Sequence, residues 1–299
     1  MTAAPVRDRE YDRFGPWVLE ISDDDPLPRL FVPHVTRSEE PLLSIKVPRR
    51  IARRDAHPGM DLYDYVVSLY EHDLVLLERI GRDVRARTID YGDVRHLVVH
   101  EELLRGGLQL RLERDPFTLP YNTVSNDVMR RVAEIVRERY LPTDAPVLER
   151  PAAGDVGELS FYFERLLKEE RTNHPEVRPA AAQATGSHGA TETNLTRRFL
   201  FGLLDKRLLE SLHLSDGREL RVIDRGRSFA YRWQAVYGRR ETIIPLANIT
   251  GVELTSGADG VATLTVATAG GQSSWPFLER APDLPGYVEW LERTTATRR

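Results

Sequence analysis

Between Arg197 and Arg240, eleven basic residues stand against five acids, a net +6 inside a chain of net −4. Nearly all of that charge is guanidinium, since lysine occurs only at Lys46, Lys168 and Lys206. A guanidinium suits carboxylate and phosphate, because its planar fork donates two parallel hydrogen bonds to either. A GC-rich coding bias yields the same preference, and nearby acids can pair with these arginines. The segment therefore fits anion binding and internal ion pairing alike.

Other reactive residues are sparse. His96 and His100 are four apart, but "VRHLVVH" reads as a strand, so Val94, His96, Val98 and His100 share one face and no HExxH helix forms. Ser187 and His188 adjoin in "GSHG", inside a segment with almost no large apolar residue to hold catalytic geometry. The patterns GxxxxGK[ST], GxGxxG and GxSxG are absent. There is no cysteine, which removes disulfides, thiolate nucleophiles and cysteine-ligated metals. No catalytic residue, metal site or cofactor is expected.

The elements that must position these residues read as mostly β. Residues 1–60 are broken by proline and by Asp23-Asp24-Asp25, and are expected as an extended arm packing on a first domain. Short β-rich runs fill 61–141, with clean alternation at Leu108, Leu110 and Leu112. A helix closes this domain, with Val128, Val132, Ile135 and Val136 on one face. Residues 142–210 are expected as a helical connector. It comprises "VGELSFYFERLLKEER", a disordered linker over 173–194, and the apolar helix "LTRRFLFGLLDKRLLESL". Residues 211–299 return to strands and end in the helix "LPGYVEWLERTTA".

The two β regions echo each other. Ile89-Asp90-Tyr91-Gly92-Asp93-Val94 lies on Ile244-Pro245-Leu246-Ala247-Asn248-Ile249, and Leu97 on Val252. Leu119-Pro120-Tyr121 matches Trp275-Pro276-Phe277 one residue further on. Val128, Val132 and Ile135 then match Leu284, Val288 and Leu291, one face of a helix in each copy.

On "IIPLANITGVEL", on "TIDYGDVRHLVV" followed by "LLRGGLQLRL", and on the terminal helices, the chain resembles the pleckstrin-homology-like superfamily in its bacterial, sequence-divergent form. The resemblance covers about two thirds of the chain. It implies an α+β, mostly antiparallel fold: two partly open barrels or sandwiches, each closed by a C-terminal helix. It implies binding modules for phospholipid headgroups, peptides or proteins. It places the ligand-facing loops at Arg225, Arg227, Arg232, Arg239 and Arg240.

The expected function is a non-enzymatic scaffold in the cytoplasm working through protein partners. The first alternative is a peripheral membrane protein holding an anionic lipid headgroup with the 197–240 segment. The second is an enzyme acting between the copies, which no motif supports. The small net charge predicts no nucleic-acid partner. No apolar run approaches the roughly 20 residues that span a bilayer. The wide apolar face at Phe199, Leu200, Leu203, Leu204, Leu208 and Leu212 is expected to dock on a domain or on a second subunit, a homo-oligomer.

Overall fold

The computed structural model describes residues 8–141, 147–148, 151, 159–188, 206–231, 233–257 and 260–296. These form an α+β protein of mostly antiparallel strands with few helices, and among the described residues no sheet closes into a barrel. The chain groups into two compact units. Unit 1 comprises Met1–Asp93, Leu104–Gly106 and Pro120–Tyr140; unit 2 comprises Val94–Leu103, Gly107–Leu119 and Leu141–Arg299.

Unit 1 starts with α1 (Arg9–Arg13) and β1 (Leu19–Glu20), followed by β2 (Leu43–Pro48), β3 (Tyr63–Leu69), β4 (Asp73–Ile80) and β5 (Asp83–Asp90). They form one antiparallel sheet in the order β1-β2-β3-β4-β5. The β4–β5 hairpin turns at Gly81, whose φ of +67° suits a residue without Cβ. Phe14 and Phe31 of the N-terminal arm bury against Leu62, Tyr63, Val66 and Leu77. The arm does more than pack on the sheet, since its β2 is an internal strand. The buried ammonium of Lys46 on β2 donates to the Pro26 carbonyl at 2.9 Å and lies 3.8 Å from Asp25, which anchors the proline-rich stretch. Burial lowers the pKa of Lys46, and Asp25 partly opposes the shift.

A 3-10 turn at Tyr91–Asp93 leads into β6 (Val94–Glu102), β7 (Arg105–Leu112) and β8 (Phe117–Asn122). Helix α2 (Asn126–Tyr140) follows, lying against β3 and the Tyr91–Asp93 turn. Met129, Val132, Val136 and Tyr140 are its buried stripe, so the face is turned from the expected one and leaves Val128 and Ile135 half-buried.

In unit 2, α3 (Phe161–Asn173) precedes β9 (Arg178–Gln183), β10 (Gly186–His188), β11 (Lys206–Leu208), β12 (Ser211–Ser215), β13 (Glu219–Asp224), β14 (Phe229–Tyr231) and β15 (Arg239–Pro245). A second 3-10 turn, Leu246–Asn248, leads to β16 (Ile249–Ser256), β17 (Val261–Thr268), β18 (Gly271–Leu278) and α4 (Leu284–Ala296). The seven-stranded sheet runs β8-β7-β6-β15-β13-β12-β9. Two three-stranded sheets run β10-β11-β14 and β16-β17-β18.

Two expectations are corrected here. The disordered linker expected over 173–194 contains α3's last residue, β9 and β10, while 189–194 lie outside the described residues. Strand β9, "RPAAAQ", pairs antiparallel with β12. Its buried Ala180 and Ala181 join the core against Leu220, Val222, Trp275 and Leu291. Small side chains bury little area, so composition reads such a strand as loop, yet main-chain pairing and close packing order it. The helix expected over "LTRRFLFGLLDKRLLESL" gives way from Lys206 onward to β11 and the start of β12, the rest of β12 lying in the run expected as strands, and 195–205 lie outside the described residues. Every residue of β12 is buried. A strand covered on both faces shows no polar side, so its apolar residues mimic a wide helical face.

Strand alternation divides the large sheet into two faces. Leu212, Leu214 and Ile223 meet Phe163, Leu166 and Leu167 of α3. Leu220, Val222 and Ile244 meet β17, β18 and α4 through Leu264, Val266, Trp275, Phe277, Tyr287 and Leu291. On that inner face His213 is fully buried. Its Nδ1 lies 2.9 Å from the Tyr287 hydroxyl and its Nε2 3.2 Å from Ser211 Oγ, among the rings of Trp275, Phe277 and Tyr287. Burial holds it neutral, its pKa pushed down to about 3. Among the described residues no helix is long and apolar enough to cross a membrane.

Candidate functional site

The inner face changes character where β6 and β7 extend the sheet beyond β15. The register sets Thr242 opposite Val98 and Arg240 opposite His100. Alternation along β7 brings Gly107, Gln109 and Arg111 to one face. Gly107 makes room for His100, whose Cε1 would lie 2.1 Å from any Cβ there. Across from them, β18 turns Ser273 inward together with Trp275, which the core buries. Between these strands lies a cavity of about 370 Å³. Its wall includes Arg111, Arg225, Arg227, Arg239 and Arg240 with Gln109, Ser273 and Trp275. That volume is within the range of about 300–1,000 Å³ common for small-ligand sites.

Four of the five arginines singled out in the sequence border this cavity, and Arg232 lies outside the described residues. Their guanidiniums have different tasks. Arg240 lies on the inner face, and its Nε and Nη2 donate to Asp224 Oδ2 at 3.0 and 2.8 Å. The same carboxylate accepts from Trp275 Nε1 at 3.2 Å and, through Oδ1, from the Gly226 amide at 2.6 Å. Arg239 points to the α3 face by alternation and pairs with Glu241 at 2.9 Å. Glu241 is shared with Arg221, which reaches Glu170 of α3 at 2.6 Å. Arg225 lies over the rings of Tyr162 and Phe163 at 4.4 and 5.0 Å and approaches Glu210 at 3.5 Å. Glu210 in turn accepts from the Ser160 amide and hydroxyl at the start of α3, at 2.7 and 2.8 Å. Arg227, at the rim, pairs with Glu102 at 2.6 Å.

Arg225 and Arg221 thus fasten α3 to the sheet, Arg239 is held by Glu241 on its own strand, Arg240 is half-committed to Asp224, and Arg227 holds an exposed pair. Arg111 differs. It has no carboxylate or hydrogen-bond partner among the described residues, and its Nε is buried. A buried donor left unmatched costs about 1–3 kcal/mol, so this guanidinium favours an incoming oxygen. Its charge also acts on His96. That ring is buried beside Thr268 Oγ1 at 3.1 Å, and burial first, then Arg111, pushes its pKa down to about 4. His96 and His100 share a face of β6, but one is in the core and the other at the cavity.

Arg111, Gln109 and Ser273 were not singled out in the sequence. Their only mark is position: Gln109 and Arg111 are the polar steps in "LQLRL", and Ser273 precedes Trp275 by two. A charge count over 197–240 cannot reach them. A second cavity in unit 1, lined by Asp12, Arg13, Phe14, Trp17, Asp25 and Arg53, has its arginines engaged: Arg13 pairs with Asp25, and Arg53 donates to the Tyr11 and Phe14 carbonyls.

Compared with known proteins, the chain matches no family model and no curated protein.

Proposed function

We propose that the chain is a non-enzymatic cytoplasmic scaffold built from two pleckstrin-homology-like repeats, and that the unit 2 cavity takes an acidic segment of a partner protein. The repeat reading is supported by element order. Leaving aside the short β1 in the first run and the inserted β10, β11 and β14 in the second, four antiparallel strands in each run lead through a three-residue 3-10 turn into three more strands and a helix. The matched phrases at Ile89–Val94 and Ile244–Ile249 fall on the same step, from strand end through the turn to the next strand.

The observation that carries the binding reading is Arg111, a cavity guanidinium without a described acid partner, beside Arg240, Gln109 and Ser273. A carboxylate is matched by such a set, with a guanidinium fork for its charge and side-chain donors for its remaining lone pairs. A peptide carboxylate is favoured over a membrane by charge balance. Arg225, Arg227, Arg239 and Arg240 each have an acid within 4 Å, so the cavity projects little field toward an anionic surface. Placed donors act at short range and suit a group that enters.

Affinity capture from the native host tests this with the wild type, Arg111→Gln and the exposed control Arg218→Gln. The expected result is a partner retained by the wild type and Arg218→Gln and lost by Arg111→Gln. Equal capture by all three overturns the reading. So does Arg111-dependent sedimentation with anionic vesicles at low salt, which would establish the lipid alternative.

A further inference from the structure

Strand β6 shows what happens to the first strand after the 3-10 turn. Its outer edge pairs antiparallel with β15, through Leu97↔Ile243, Val98↔Thr242, Val99↔Glu241, His100↔Arg240 and Glu101↔Arg239. In the repeat reading, on which this inference rests, β16 is the counterpart of β6, and β5 is the counterpart of β15. Among the described residues both counterparts are sheet edges. β5 ends the order β1-β2-β3-β4-β5, and β16 ends the order β16-β17-β18. The chain thus contains one strand pair already joined and, among the described residues, the two matching strands of a second pair, each at an unpaired sheet edge.

We infer that β16 of one molecule pairs antiparallel with β5 of another, reproducing between chains the β6–β15 joint within each chain. Carrying the observed register across, with Leu97 on Val252 and Ile244 on Ile89, sets Val252 opposite Thr88, Glu253 opposite Arg87, Leu254 opposite Ala86 and Thr255 opposite Arg85. The charges agree with this register. Glu253 meets Arg87 directly and is diagonal to Arg85, and opposite charges facing across strands stabilise a pair where like charges oppose it. Both edges are open to such a partner: β5 is exposed along most of its length, as is β16 from Glu253 onward. Leu254, 40% exposed, would lie over the small Ala86.

The contact is head-to-tail, using different strands on the two molecules. Such contacts generate rings when the rotation closes and open filaments when it does not. Backbone hydrogen bonds supply the affinity, and the Glu253–Arg87 pair sets the register and excludes edge pairings with the wrong charge.

Sedimentation velocity over a concentration series tests this with Arg87→Glu, Glu253→Arg, their equimolar mixture and the double variant. The wild type is expected to associate with rising concentration. Each single variant should associate about tenfold more weakly, because one attraction becomes a repulsion. The mixture and the double variant should recover association, since each restores an opposite pair. A wild type that stays monomeric throughout overturns the inference, as does association that the single variants leave unchanged or that mixing fails to restore. Recovery by mixing also shows that the single variants are folded. The readout uses neither the cavity nor a captured partner. Loss of self-association with capture intact therefore fails this inference alone, and the reverse fails the cavity reading alone.

Discussion

Strands β6 and β16 follow the same kind of turn, and their apolar positions match, yet they have opposite surroundings. Leu97 of β6 is fully buried, whereas its match on β16, Val252, is half-buried, and Leu254 nearby is exposed. The difference is one neighbour. β6 has β15 along its edge, and β16 has none among the described residues. Local sequence sets whether a segment is a strand, but its burial depends on what covers its edge. The connections differ as well. In the first run β4 passes to β5 by a tight hairpin at Gly81, while in the second the links β9 to β12 and β13 to β15 carry the extra sheet β10-β11-β14. Arg225, Arg227 and the exposed Trp233 and Tyr237 lie on or beside these longer links. Connecting segments of this kind are where binding surfaces usually accumulate.

Acid should separate the two units most strongly. His96 and His213 are buried in unit 2 with pKa values pushed down to about 4 and about 3, whereas His34, His57 and His72 of unit 1 are exposed. In the unfolded chain each imidazole titrates near the ordinary 6.5. Between that value and the folded one, the unfolded state binds more protons. The neutral-histidine stability is therefore complete above about pH 6.5 and declines as the pH falls toward 4 and then 3. Unit 2 should lose on the order of 3 kcal/mol or more, read as amide hydrogen exchange of β12 and β6 quickening before that of β3 and β4. A parallel decline in both units would show that the histidines do not set the difference.

Truncation sharpens the edge comparison directly. Leu97→Ala should cost about 2–5 kcal/mol in urea unfolding, the range for a fully buried leucine. Leu254→Ala on β16 should cost about 0.5 kcal/mol or less at concentrations where the chain is monomeric. Equal costs would mean that β16 is covered in solution. Asp224→Asn falls between these, at about 1–3 kcal/mol, because it removes the charge that holds Arg240 while keeping an acceptor for Trp275 Nε1. Arg111→Gln should change stability least, within about 0.5 kcal/mol and toward stabilisation, since this guanidinium has no acid partner to lose. A large destabilisation there would assign Arg111 to the scaffold and remove it from the site.

Much of the fold could be read from residue spacing. Leu284, Val288 and Leu291 are buried on one face of α4 as their 3.6 periodicity requires, and the alternation of Leu108, Leu110 and Leu112 is the buried face of β7. β9 was not legible, because three alanines carry no periodic contrast, and the segment of β11 leading into β12 was read as helix, because its buried leucines show no polar side. The site was legible in part. The arginine segment does contribute to the cavity wall, but it supplies charges that are mostly engaged, while Arg111 and Ser273 come from strands far away in the chain.

The sequence alone determined most of the alternating strands, the helices α2, α3 and α4, and that guanidinium is the main charged chemistry, because these depend on neighbours a few residues apart. Tertiary structure decided which arginines are engaged and which edges are covered. Arg239 and Arg240 adjoin in the chain, yet alternation sends one to Glu241 on the α3 face and the other to Asp224 at the cavity. Arg240's partner Asp224, 16 residues away, and a strand's lateral neighbour are contacts distant in the chain, and no local pattern encodes them.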